Sequence, residues 1–188
     1  MKIVLASKSP RRRELLSEIY KDFDILTADT DETLPEGVHP MDGVRILAER
    51  KGAAVLELTS PDALIISSDT LVEVDGVALG KPTDASDAIR MLGTLSARAH
   101  NVHTGVAVHY RGRVFSDTAS TAVYFRKMTD EEITEYVNGG EPMDKAGAYG
   151  IQGEGGKFVE GYDGDYDTVV GLSLRLTRRL IKEAIENE

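Results

Sequence analysis

The chain opens on an apolar run, Lys2 to Ala6, whose unbroken hydrophobicity predicts a short buried strand of parallel type. Ser7-Lys8-Ser9-Pro10 follows, then a segment carrying Leu15, Leu16 and Ile19 on one face. Ser9 suits an N-cap and Pro10 a first helical turn, so a helix is predicted to begin there. Phe23 to Ala28 predicts a second strand, which runs into the acidic loop Asp29-Thr30-Asp31-Glu32. Val44, Leu47, Ala48, Ala54 and Val55 share one side of a helix predicted over about 40–58. Ala63 to Thr70 reads as a strand that ends in an acid and a hydroxyl. Leu71 to Leu79 reads as a hairpin around Asp75-Gly76, a dipeptide suited to the left-handed backbone of tight turns. Asp84 caps a helix reaching about Leu95, and two long strands, His100–Tyr110 and Arg113–Lys127, meet at Arg111-Gly112. Thr129 and Glu132 have the spacing of a capping box. A last helix over about 168–186 turns Leu172, Leu176, Leu180 and Ile181 inward. Strands alternate with helices early and long antiparallel strands come later. That order predicts an α/β protein, a mixed twisted sheet with flanking helices in two lobes.

Composition narrows the function classes. The 188 residues are 41% hydrophobic and 29% charged, a mixture suited to one globular domain. Cysteine is absent, which excludes disulfides, a thiolate nucleophile and Cys-ligated zinc or iron–sulfur clusters. No apolar run approaches the roughly 20 residues of a membrane helix. The N-terminus turns polar too soon for a secretory signal, so the expected address is the cytoplasm. A formal charge of −10 repels long polyanions, and no basic-aromatic interleaving offers a single-strand platform. Neither a nucleic acid polymer nor a membrane is an expected partner. A small anion is a different matter, because a few cations in one pocket can hold it whatever the total charge.

Familiar signatures are absent. Gly76 to Pro82 misses the phosphate-binding P-loop by one residue and ends in Pro82 where Ser or Thr should stand, though Lys81 remains a phosphate candidate. No nucleophile elbow supports a hydrolytic serine. His100 and His103 are three apart and face opposite ways on a strand, so they read as ordinary strand histidines. The arginines at 11 to 13 fall in a first helical turn, where the dipole disfavours positive charge. A bound polyphosphate would account for them. Asp69-Thr70 reads equally as a turn acid and as a ligand-facing acid at a strand end, while Asp31-Glu32 reads as solvated surface. Between Gly139 and Gly164 lie nine of the 18 glycines, marking backbone that turns sharply or approaches something closely. Two carboxylates sharing a divalent cation, with Arg and Lys on phosphate oxygens, are equipment for cleaving a phosphoanhydride with water.

Five blocks in order sharpen this picture: Ser7-Lys8-Ser9-Pro10-Arg11-Arg12, Ser68-Asp69-Thr70, Gly80-Lys81-Pro82, His103-Thr104-Gly105 and Asp144 to Gly153. With Val169-Val170-Gly171-Leu172, they resemble the Maf family of nucleoside triphosphate pyrophosphatases across essentially the whole chain, 1–188. The resemblance implies a sheet like that of inosine triphosphate pyrophosphatases, with a cleft between two lobes. It implies hydrolysis between the α- and β-phosphates to the monophosphate and pyrophosphate, with a divalent metal cation (magnesium or manganese), and a homodimer. By that resemblance Asp69 is the proton acceptor, Ser9, Arg11, Lys51, Lys81 and Lys145 bind phosphate, and Glu32 joins Asp69 at the metal. Arg12, Thr70 and Gln152 match positions that set base preference in the branch acting on dTTP and UTP, with modified pyrimidine nucleotides as further substrates. The pairing edge of uracil or thymine reads acceptor, donor, acceptor, and the Gln152 amide offers a donor and an acceptor to it. Two other readings stay open: a nucleotide-sensing regulator of division or septum formation, as the family name suggests, and a phosphatase releasing orthophosphate.

Overall fold

Where the sequence is apolar without interruption, strand β1 (Ile3–Leu5) forms and is buried throughout. The structure, a computed structural model, describes residues 1–186. Seven strands make one sheet: β2 (Asp24–Ile25), β1, β3 (Leu64–Val74), β5 (Ala99–Tyr110), β6 (Arg113–Phe125) and β7 (Val159–Asp163) lie in that order, with β4 (Val77–Leu79) paired to β3. Strand β1 pairs in parallel with β2 and β3, whereas β3 pairs with β4 and β6 with β7 in antiparallel fashion. The mixed α/β sheet expected from the sequence is therefore present. The chain divides into two compact units, one of Met1–Thr70, Thr104–Ala119 and Gly171 onward, the other of Leu71–His103 and Ser120–Val170.

In the first unit, helix α1 (Pro10–Leu16) starts as expected, with the Ser9 hydroxyl accepting from the Arg12 N–H. Helix α2 (Pro40–Ala53) stops short of the expected Leu58, and only a 3-10 turn follows at Leu56–Leu58. The reason is tertiary. Val55 turns inward against Val4, Ala63 and Ile65, and burying that side chain is worth about 1.5–3 kcal/mol, more than one further helical turn contributes. The expected strand Phe23–Ala28 shrinks to two exposed residues at the sheet's outer edge, where only β1 is available for pairing. The predicted final helix is in fact two, α5 (Tyr166–Val170) and α6 (Leu174–Glu186). Gly171 breaks it at φ +127°, and the buried Ser173 opens α6 by accepting the N–H of Leu176 on its hydroxyl.

The second unit holds the larger apolar cluster. Met91, Leu92 and Leu95 of α3 (Ala85–Leu95) and Ile133, Tyr136 and Val137 of α4 (Asp130–Asn138) pack with Val72, Val123, Phe125, Tyr149 and Phe158. Both expected caps are made: Asp84 accepts from the Asp87 N–H, and Thr129 and Glu132 close a reciprocal capping box. The hairpin at Asp75-Gly76 has positive φ at both residues, as its sequence predicts. What reads as a separate strand and hairpin arm is one continuous strand, β3: Leu64 to Asp69 are buried, and Val72 and Val74 turn inward again beyond them. Among the described residues no helix is long and apolar enough to cross a membrane.

His100 lies within this cluster, 2.9 Å from the Tyr149 hydroxyl and edge-on to Phe125 at 4.8 Å. Burial drives its pKa down to about 4, and His109 in the first unit moves the same way for the same cause. The folded protein thus binds fewer protons than the unfolded chain between about pH 4 and 6.5, so stability falls as pH drops through that window. Urea midpoints are expected to fall from pH 7 to pH 4. For His100→Gln that fall should shrink, by on the order of 3 kcal/mol at most; an unchanged pH dependence would contradict the assignment.

Candidate active site

Asp69 is a carboxylate at the end of the buried stretch of β3, and it is only 8% exposed. A buried charge survives only with a partner. Lys51, in the last turn of α2, supplies it: its ammonium donates to Asp69 Oδ1 and also lies 2.9 Å from Glu32 Oε1. One cation therefore bridges the two acids that the family resemblance pairs in a metal role. Glu32 is largely exposed at its end of the bridge, whereas Lys51 is mostly covered.

Arg12 projects from the first turn of α1, and its guanidinium is taken up by the fold. Its Nε donates to the Gly171 carbonyl at 2.9 Å and its Nη2 to the Thr70 hydroxyl at 3.2 Å. That hydroxyl is 2.9 Å from the Thr104 hydroxyl, and Ser68 Oγ donates to the same Gly171 carbonyl at 2.9 Å. Burial lowers the pKa of Arg12, while Asp69 raises it, Arg11 lowers it and Glu32 raises it. An arginine nevertheless stays charged at neutral pH. These opposing effects put Arg11, Glu32 and Asp69 within electrostatic reach of one guanidinium. Arg13, outside the motif, is exposed.

In the second unit, the Gly147 N–H donates to the Gly80 carbonyl at 3.0 Å, tying the Gly80-Lys81-Pro82 loop to the turn after Lys145. Lys81 is exposed, and the Lys145 ammonium donates to the Glu141 carbonyl at 2.7 Å and to Asp144 Oδ1 at 2.6 Å. Gln152 stands exposed on a turn closed by the Gly153 N–H and the Gly150 carbonyl. Of the ten residues predicted for the site, Ser9, Arg11, Arg12, Glu32, Lys51, Asp69 and Thr70 belong to the first unit. Lys81, Lys145 and Gln152 belong to the second. His100 and His103 have separate partners: His103 is 2.6 Å from both Glu73 Oε2 and Ser120 Oγ.

Among the described residues no group of three or more His, Asp or Glu forms a metal cage. The Glu32–Asp69 pair, already converging on one positive group, does fit a hard cation of the kind held by one or two carboxylates together with substrate phosphates.

A solved structure shares this mixed-sheet fold. The Staphylococcus aureus Ham1 protein superposes with a TM-score of 0.52 at 15% identity, covering 100% of this chain and 95% of its own. The family follows from sequence: the model described as "Maf-like protein" matches residues 2–184. The chain belongs to the Maf family. A protein of Bacillus velezensis named dTTP/UTP pyrophosphatase is 45% identical over 184 residues, covering 97% of this chain and 96% of the relative. Proteins of the same name from Bdellovibrio bacteriovorus and Vibrio vulnificus are 44% and 45% identical, over 96% and 98% of this chain.

Sequence reasoning left Ser68, Thr104 and Gly171 without roles, although all three stand in the blocks that carry the family resemblance. Their work is to place Arg12 and Thr70, which spacing along the chain does not reveal. Gly171 sits at φ +127°, and a Cβ there would lie 3.4 Å from Arg12 Nε and 3.5 Å from Thr70 Oγ1. Gly171→Ala should therefore lower unfolding stability by about 1–3 kcal/mol. Chemical denaturation checks this, and an unaltered midpoint would show that the backbone there is not constrained.

Proposed function

We propose that the protein hydrolyses dTTP and UTP between the α- and β-phosphates, releasing the monophosphate and pyrophosphate, with modified pyrimidine nucleotides as further substrates. The observation that carries this reading is the buried Asp69 carboxylate held by Lys51 within reach of Arg12, in a chain so close to relatives of that name. In the mechanism, Asp69 takes the proton of the attacking water at its carboxylate, so the nucleophile forms without a covalent intermediate. Arg11, Lys51, Lys81, Lys145 and the Ser9 hydroxyl hold phosphate oxygens, their charge offsetting what builds up on the leaving pyrophosphate. A divalent cation, magnesium or manganese, held by Glu32 and Asp69 would supply further neutralisation of that charge. Arg12, Thr70 and Gln152 read the base, Gln152 by matching its amide to the acceptor and donor edge of uracil or thymine. The cytoplasmic address expected from the sequence and the homodimer implied by the family resemblance belong to the same reading.

A panel of triphosphates assayed for pyrophosphate tests the reading directly. Pyrophosphate from dTTP and UTP is expected; orthophosphate instead, or binding with no turnover, would reject it in favour of a phosphatase or a sensing module. Asp69→Asn should reduce turnover by roughly 10²–10⁴-fold while nucleotide still binds, since a neutral amide cannot accept the proton. Full activity in that variant would remove Asp69 from the mechanism. Gln152→Glu has acceptors only, so it should weaken the preference for UTP over CTP before it slows the chemistry. An unchanged substrate ranking would exclude Gln152 from base reading.

A further inference from the structure

Gln152 is displayed on a two-residue excursion, Ile151-Gln152, closed by the 3.2 Å bond from Gly153 N–H to the Gly150 carbonyl. Both ends of this turn are tied to one pair of side chains. On the near side the Gly150 N–H donates to the Tyr136 hydroxyl at 3.3 Å. On the far side the N–H groups of Glu154 and Gly155 donate to the Glu141 carboxylate at 2.9 and 3.2 Å. Tyr136 completes the ring by donating its own hydroxyl to Glu141 Oε1 at 2.8 Å. Tyr136 comes from α4, is 4% exposed and packs edge-on to Phe158 at 5.2 Å, so the anchor is set in the apolar cluster.

The polarity of this ring is fixed. Burial, and then the neighbouring carboxylate, push the Tyr136 pKa well up, so its hydroxyl keeps its proton and gives it to Glu141. Burial alone would raise the Glu141 pKa, but the N–H of Glu154, the tyrosine hydroxyl and the N–H of Gly155 outweigh it and hold the carboxyl in its charged form. The fit is close. A Cβ at Gly153 would fall 2.5 Å from both Glu141 carboxylate oxygens, and one at Gly150 2.8 Å from Lys145 Cε. The main-chain carbonyl of Glu141 meanwhile receives the Lys145 ammonium.

We propose that Glu141 and Tyr136 are positioning residues that present the Gln152 amide to the pyrimidine and couple its placement to that of Lys145. This rests on the reading of Gln152 given above. A clamp that merely stabilised the loop would alter melting temperature and leave base preference alone; a positioning clamp alters preference.

The test compares kcat/KM for UTP and CTP in Tyr136→Phe, Glu141→Gln and Gln152→Ala, together with the double variant Tyr136→Phe/Gln152→Ala. Tyr136→Phe keeps the ring packed against Phe158 and removes only the hydroxyl, so it serves if Glu141→Gln does not fold. Each single variant should lower the UTP-to-CTP ratio by about tenfold, with KM for UTP moving more than kcat. The double variant should show no further loss, because the two changes act through one amide. If Gln152→Ala lowers the ratio while the two clamp variants shift only the melting temperature, the clamp is structural and the proposal fails alone. If Gln152→Ala itself leaves the ratio intact, base reading by Gln152 fails and takes the proposal with it.

Discussion

A carboxylate built into a buried strand must be met by a cation, and in the first unit Lys51 meets Asp69. Removing one partner of a buried pair costs about 3–5 kcal/mol, whereas an exposed pair is worth about 0–1 kcal/mol. Lys51 is therefore aimed by Asp69 and not by Glu32, whose end of the bridge is largely open to water. Helix α2 ending at Ala53 places Lys51 in a last turn, where a positive charge also suits the helix dipole. The same side chain holds the two acids together.

Arg12 shows the opposite balance between local and tertiary effects. A positive charge in a first helical turn loses about 0.3–1 kcal/mol to the dipole. A hydrogen bond from a charged donor is worth about 1.5–3 kcal/mol, and Arg12 makes two good ones, to the Gly171 carbonyl and the Thr70 hydroxyl. The tertiary bonds win. That carbonyl is available because the chain breaks at Gly171 between α5 and α6 and does not spend it inside a helix. Helix interruption, a glycine conformation and arginine orientation are thus one feature of the structure. The second unit repeats the device with Glu141, whose carboxylate serves main-chain donors and whose carbonyl takes the Lys145 ammonium.

Local chemistry made much of the fold legible from the residues alone. Caps at Ser9, Asp84 and Thr129, the Asp75-Gly76 turn and the apolar faces of α3 and α4 all involve partners within a few positions, so order along the chain is enough to find them. Boundaries failed where a distant partner decided them, as at Val55, at the two-residue β2 and at Gly171. Site residues other than Glu32 and Lys51 stood in recognisable blocks, and the glycine density after Gly139 announced sharp turns or a close approach. What that backbone approaches, the carboxylate of Glu141, was not readable.

By itself, then, the sequence determined the α/β class and the family, and through that resemblance singled out Asp69, Lys51, Arg12 and Gln152, because motif and periodicity are properties of near neighbours. Only the tertiary structure decided which groups hold those residues. Thr104 lies 34 positions from Thr70, and Gly171 lies 159 from Arg12. Hydrogen-bond direction across such separations is set by how strands and helix ends are packed, and no local pattern encodes it.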